Sequence, residues 1–246
     1  MRLIILSLVL VLAGCTATSH NQSEPTAELE NTDRKLADIA LETGRIENAI
    51  DIYSAELEKN PNDPELHFLL GSAYNQIDEF ELAIHYLQRV DNSFQPEKVS
   101  RELGRAHLGL GELDLAQQQL MKALEVQPKD AVSQNSLGVC YSLQRKYDAA
   151  RDAFSAALAI EPTRLEYRNN LALAWILDEQ PQKGIDVLYR AYSKGKSTAK
   201  MRQNLALAYA MKGDLDAARE LIEGDLTAAE LESNLEYYRQ IVSKPL

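Results

Sequence analysis

Cysteine is almost missing from this 246-residue chain: Cys15 and Cys140 are the whole complement. Two such thiols cannot make a disulfide framework. Glycine and proline are also scarce, at 11 and 8 residues, which argues against a loop-rich β protein. Positive charge falls short of negative, with 26 Lys and Arg against 37 Asp and Glu and a net charge of −11. A surface of that sign repels phosphate backbones, so nucleic acid is not an expected partner. Catalytic signatures are absent as well: no HExxH, P-loop, GxGxxG, GxSxG or CxxC occurs. His20, His67, His85 and His107 show no metal-ligand spacing. The chain therefore does not read as an enzyme, and no cofactor, metal or small-molecule substrate is expected. Cys140 reads as a small buried apolar side chain rather than a nucleophile, and His67 and His107 as packing residues.

What is present begins with an apolar run. Arg2 precedes LIILSLVLVL, residues 3–12. Ten helical residues rise only about 15 Å, half a bilayer core, so this is a secretory signal and not a spanning helix. It ends in Leu12-Ala13-Gly14-Cys15, which resembles the bacterial lipobox. The resemblance implies cleavage before Cys15, a diacylglycerol on its sulfur and an acyl chain on the new amino group. Several chains anchor stably where one does not, since each buried CH₂ contributes about 0.8 kcal/mol. Thr16 stands where Asp would imply retention at the inner membrane. The same resemblance therefore implies the outer membrane, facing the periplasm. Residues 1–14 are read as the signal peptide and 15–30 as the lipidated Cys and a flexible polar tether.

The rest of the chain beats at a fixed period. Leu36, Leu70, Leu103, Leu137, Leu171 and Leu205 stand 34, 33, 34, 34 and 34 residues apart. A small residue follows each: Ala37, Gly71, Gly104, Gly138, Ala172, Ala206. Twelve residues on comes a second small one: Ala49, Ala83, Ala116, Ala150, Gly184, Ala218. Four further on stands a bulky one: Tyr53, Leu87, Leu120, Phe154, Leu188, Ile222. Within helices these spacings put each set on one face, and small against large lets two helices close on each other. A 34-residue period with this pattern resembles tetratricopeptide repeats. One helix pair cannot bury its apolar face alone, but six stacked pairs make a continuous core. The expected fold is all-α: a superhelix of about six helix pairs over 31–225, with a capping helix and tail over 226–246.

Punctuation supports this phasing. Gly44, Gly111 and Gly213 fall at equivalent inner turns, where a positive φ suits glycine. Pro61, Pro128 and Pro162 are expected to end second helices, and Pro96 to do so one residue late. Glu56 interrupts the first repeat where Ala123, Ala157 and Ala191 stand later, and Asp225 breaks the sixth. Thr227 with Glu230 forms a capping box for a last amphipathic helix, whose apolar face is Leu231, Leu235, Tyr238 and Val242.

The last repeats share more than the period. Arg168-Asn169-Asn170-Leu171-Ala172-Leu173-Ala174-Trp175 is echoed by Arg202-Gln203-Asn204-Leu205-Ala206-Leu207-Ala208-Tyr209, and Lys212-Gly213-Asp214 and Asn234-Leu235 follow. With the lipobox and tether, this run resembles the TadD lipoproteins of the tight-adherence machinery that assembles Flp-type (type IVb) pili. The resemblance implies a non-catalytic scaffold that binds protein partners, at or near the pilus secretin. Alternatives in the same class are a pilotin of another type IV pilus or type II secretion system, and a scaffold for envelope or cell-wall enzymes.

In such a superhelix the first helices line the concave face. That stripe holds Asn135, Ser136, Asn169, Asn170, Lys200, Gln203 and Asn204. An Asn side chain both donates and accepts, so it can read a peptide backbone; equally, it can bond the neighbouring helix and hold the stack together. Lys98, Arg101 and Arg105 make a basic stripe on the third repeat, expected to pair at the surface with Glu102 and Glu112.

Overall fold

The computed structural model describes residues 25–243, with side chains from 34 to 240. Among the described residues the chain is thirteen α-helices without a strand. They pair in order as α1 (Pro25–Glu42) with α2 (Ile46–Lys59), α3 (Pro64–Gln76) with α4 (Phe80–Leu87), and α5 (Pro96–Gly109) with α6 (Leu113–Val126). There follow α7 (Ala131–Leu143) with α8 (Tyr147–Ile160), α9 (Leu165–Leu177) with α10 (Pro181–Tyr192), and α11 (Ala199–Met211) with α12 (Leu215–Ile222). A last helix, α13 (Ala228–Ser243), packs on α11 and α12. From the second pair on, each first helix also touches the first helix of the next pair. The result is the expected superhelix of six pairs and a cap.

The two small positions and the bulky one form the seam of every pair. Each small residue from Ala37 to Ala206, and each from Ala49 to Ala218, is buried, as are all six bulky residues. A Cβ placed on Gly71 would lie 2.5 Å from Leu87 Cγ, on Gly104 2.6 Å from Leu120 Cγ, and on Gly138 2.6 Å from the Phe154 ring. The partner side chain thus occupies the space a methyl would need, sixteen residues further on each time. Gly184 stands likewise against Ile176 Cγ1 at 2.5 Å.

The inner turns are built identically in all six pairs. The residue at the turn has a positive φ: Gly44 (74°), Asp78 (61°), Gly111 (74°), Arg145 (60°), Glu179 (56°) and Gly213 (85°). The next amide bonds back to the carbonyl of Ala40, Tyr74, His107, Tyr141, Trp175 or Tyr209, at 2.8–3.0 Å. This is the six-to-one bond of a Schellman cap. Glycine was visible at three of these turns; at the other three an L residue is held in the left-handed region. Such a residue costs about 1–2 kcal/mol there, partly offset by the backbone entropy that glycine loses, about 0.5–1 kcal/mol. Asp78→Gly, Arg145→Gly and Glu179→Gly are therefore each expected to raise stability by roughly 0.5 kcal/mol. A higher urea midpoint at unchanged slope is the reading; a midpoint that stays put or falls rejects it.

Two boundaries differ from the sequence reading. Pro96 does not end a second helix: α4 stops early at Leu87, and Pro96 opens α5. A proline suits the first helical position, since its missing N–H would have no intrahelical partner there. The connection carries its own turn, with Asp91 Oδ1 accepting from the Ser93 amide at 2.8 Å, and Val90 buried beneath it. At the other boundary α1 begins at Pro25, inside the stretch read as tether. Pro25 sits at the start, where a proline suits a first helical position. Residues 1–24, with the signal peptide, Cys15, His20 and most of the tether, lie outside the described residues, as do Val242's side chain and the last three positions.

The ends are capped as the sequence implies. Thr227 and Glu230 make the capping box: the Thr227 amide donates to Glu230 Oε2 at 2.8 Å, and the Glu230 amide to Thr227 Oγ1 at 3.4 Å. Leu235 and Tyr238 are buried and Leu231 is half-buried against the last pair. Asp225, which breaks the sixth repeat, takes Arg202 in a two-bond ion pair at 2.5 and 2.6 Å. The hydrogen bonds from Arg202 hold its carboxyl below the usual carboxylate range. This contact is therefore intact at neutral pH and is given up only once the pH falls below that range. In the first repeat Glu56 is buried, and Arg34 answers it at 2.9 Å while also bonding Asp63 and Glu65 at the start of α3.

Candidate functional site

Residues of α7, α9 and α11, with Phe154 of α8, form a groove of about 500 Å³. Its floor and walls are mainly aliphatic: Val139, Leu143, Leu165, Leu173 and Leu177. Leu143 and Leu177 stand 57% and 44% exposed, although each lies one helix turn from a packed seam. Large apolar side chains left open side by side mark a contact surface more than a fold requirement.

The polar stripe predicted from sequence is only partly brought together. Asn135, Asn169, Asn170 and Lys200 line the groove; Gln203 and Asn204 do not. The asparagines form a ladder between repeats. Asn170 Nδ2 donates to Asn135 Oδ1 at 2.9 Å, and Asn204 Nδ2 donates to Asn169 Oδ1 at 2.9 Å. Asn135, Ser136 and Asn169 are buried, so they brace the stack, while Asn170 and Asn204 are half-buried. Each ladder bond uses one donor and one acceptor of the pair. The remaining amide atoms of Asn170 stay available at the groove wall. Lys200 is exposed at the mouth, and Glu166 faces it from α9. Gln203 points elsewhere: its side chain is exposed, and its carbonyl accepts from the Tyr238 hydroxyl at 3.5 Å.

Two further clusters were misplaced or unseen in the sequence. The basic stripe of the third repeat is not paired at the surface. Glu102 is 4% exposed and accepts from Arg105 at 2.8 Å, from Arg101 at 3.1 Å and from Asn75 at 3.1 Å. Arg101 continues to Asp130, the N-cap of α7, at 3.2 Å. Glu112 instead meets His107 at 2.6 Å, and Lys98 takes no part. This network ties repeats two, three and four together. The second cluster is a pair of cations on Trp175: the Arg151 guanidinium lies 3.9 Å and Lys183 Nζ 4.2 Å from the ring centre. Arg151 is buried and also pairs with Asp178 at 2.7 Å and with Asp148. An arginine in a second helix carries no signal that it will reach the next repeat.

Cys140 is fully buried, its thiol donates to the Leu113 carbonyl at 3.3 Å, and burial pushes the thiol upward. It packs and does not offer a nucleophile. His67 is buried against the Asp63 carbonyl at 2.9 Å. Among the described residues no three His, Cys, Asp or Glu side chains gather so as to hold a metal ion, and no helix is long and apolar enough to cross a membrane.

A stack of helix pairs with an open aliphatic groove is the architecture of a scaffold that binds other proteins. The chain belongs to the tetratricopeptide-repeat family, whose pattern matches residues 34–95, 101–164 and 144–200. A comparison with curated proteins returns no match. Among solved structures, a chain of the APC/C hetero-tetramer Cut9-Hcn1 superposes with a TM-score of 0.74 at 18% identity, over 85% of this chain and 42% of that one. Pseudomonas aeruginosa pilF does so at 0.67 and 15%, over 88% of this chain and 99% of its own. A tetratricopeptide-repeat protein of Thermus thermophilus gives 0.62 and 22%, over 73% and 98%. Identities this low speak for the shared fold alone.

Proposed function

We propose that this protein is an outer-membrane lipoprotein that holds components of a Flp-type pilus assembly and secretion apparatus, at or near its secretin, in the manner of the TadD lipoproteins. Lipid on Cys15 moors it facing the periplasm, and the groove of repeats four to six holds the partner. The observation that carries the binding role is the open aliphatic groove, with Leu143 and Leu177 exposed beside the asparagine ladder. The residues that carry the TadD resemblance build the same place: Asn169, Asn170 and Leu173 from one copy of the shared run line the groove, and Asn204 from the other braces it. The lipid anchor is supported by the sequence of residues 2–15.

Deleting the gene in its own host tests the role directly. Pilin is expected to disappear from the cell surface and to return with the intact gene. Normal surface pilin after deletion rejects the pilus role. Cys15→Ser is expected to release the protein from the membrane fraction. Leu177→Asp is expected to lower partner recovery from solubilised envelopes at least several-fold with the fold retained, because it puts a charge on a surface that must be desolvated on binding. Undiminished recovery from this variant excludes the groove.

A further inference from the structure

A second depression, of about 370 Å³, lies between the turn leading into α9 and the end of α10. Arg168, Arg190, Lys194 and Lys196 line it, and no Asp or Glu does. Arg168 donates to the Pro162 carbonyl at 3.0 Å. Among the described residues no carboxylate pairs with Arg190, Lys194 or Lys196. This is a reversal of the chain's character: residues 162–202 hold eight Lys and Arg against four Asp and Glu, whereas the whole chain holds 26 against 37. Cations beside the C-terminus of α10 suit its dipole, which accounts for Arg190 and Lys194. It does not account for Arg168 and Lys196 converging on the same hollow.

The basic hollow and the groove meet. Leu165 lines both, and the connection into α11 passes from Lys194 and Lys196 at the first to Thr198 and Lys200 at the second. A chain lying in the groove and leaving it past Leu165 therefore enters a field of unpaired positive charge. Converging cations without counter-charges hold like charges together, an arrangement that an anionic partner relieves.

We infer that the partner segment has an apolar stretch that fills the groove and, next to it along its chain, a cluster of Asp and Glu that fills the Arg168–Lys196 hollow. This rests on the groove reading above and adds the chemistry of the partner. The apolar part supplies area, and the acidic part sets direction and register along the groove, since reversing the segment would place its carboxylates on leucine.

The test is selection of random peptides displayed on phage against the immobilised full chain, followed by titration of the selected peptides by fluorescence anisotropy. Peptides with an apolar block flanked on one side by acidic residues are expected, binding more weakly as salt rises. Lys194→Glu with Lys196→Glu, both exposed, is expected to weaken the same peptides roughly tenfold at low salt, a loss of about 1.4 kcal/mol. Selection on that double variant should return apolar peptides without acidic bias. Apolar peptides without acids from the wild-type protein, or affinities indifferent to the double reversal, overturn the inference and leave the groove standing. Binding unchanged by Leu177→Asp removes the groove itself. Vesicles of phosphatidylglycerol that sediment with the wild-type protein but not with the double variant, alongside peptides lacking acidic bias, would assign the hollow to a membrane surface and overturn the inference.

Discussion

Gly104→Val is expected to destabilise the protein by roughly 3 kcal/mol, the upper end for forcing bulk into a packed core. The Cβ alone would lie 2.6 Å from Leu120 Cγ and 3.2 Å from the Leu120 amide nitrogen. Leu120 is fully buried and Ala116 and Ala123 flank it on the same helix, so neither side chain nor helix has room to give. Valine has a better helix propensity than glycine by only a few tenths of a kcal/mol, too little to offset that overlap. Chemical denaturation followed by circular dichroism reads the loss. Because each repeat touches only its neighbours, a separate early transition of the first half is expected, with repeats four to six melting later. Gly104→Ala combined with Leu120→Ala should cost less than the sum of the two single changes, since both act on one contact. A Gly104→Val protein that unfolds like the wild type would show that α5 and α6 are not held this closely.

Glu102→Ala is the second large effect, expected to cost about 3 kcal/mol, as removing one member of a buried charged network does. The carboxylate is nearly inaccessible and is met by Arg101, Arg105 and Asn75 together. Without it Arg105 has no partner and Arg101 keeps only Asp130. Glu102→Gln should cost less, because the amide oxygen can still accept from one arginine. Replacing Arg101, Glu102 and Arg105 together with apolar residues of similar size should restore much of the stability. Thermal melts of the three proteins give the order; equal melting of Glu102→Ala and wild type would remove the network from any account of the stack.

Much of this architecture was legible because it repeats. A side chain that must pack against its own helix partner sixteen residues away leaves a mark at every period, and six copies of that mark outweigh any local exception. The groove was legible in part for the same reason: Asn170 and Asn204 sit at equivalent positions of successive repeats, as do Asn135 and Asn169, so the period itself outlines the stripe. Its aliphatic floor carries no such mark, since Leu173 and Leu177 have the pattern of core residues in a helix rich in leucine.

The amino-acid sequence by itself determined the period, the pairing of helices, the seam between small and bulky residues, the glycine turns and the closing helix. All of these obey spacing rules that act within one repeat, where chain connectivity sets which atoms meet. Only the tertiary structure decided that Glu102 is buried, that Pro96 opens a helix, and that Asn170 reaches back to Asn135. It likewise decided that Leu165 joins an aliphatic groove to a basic hollow. Those outcomes depend on contacts between side chains in different repeats, and the twist of the stack, which no local spacing encodes, brings them together or keeps them apart.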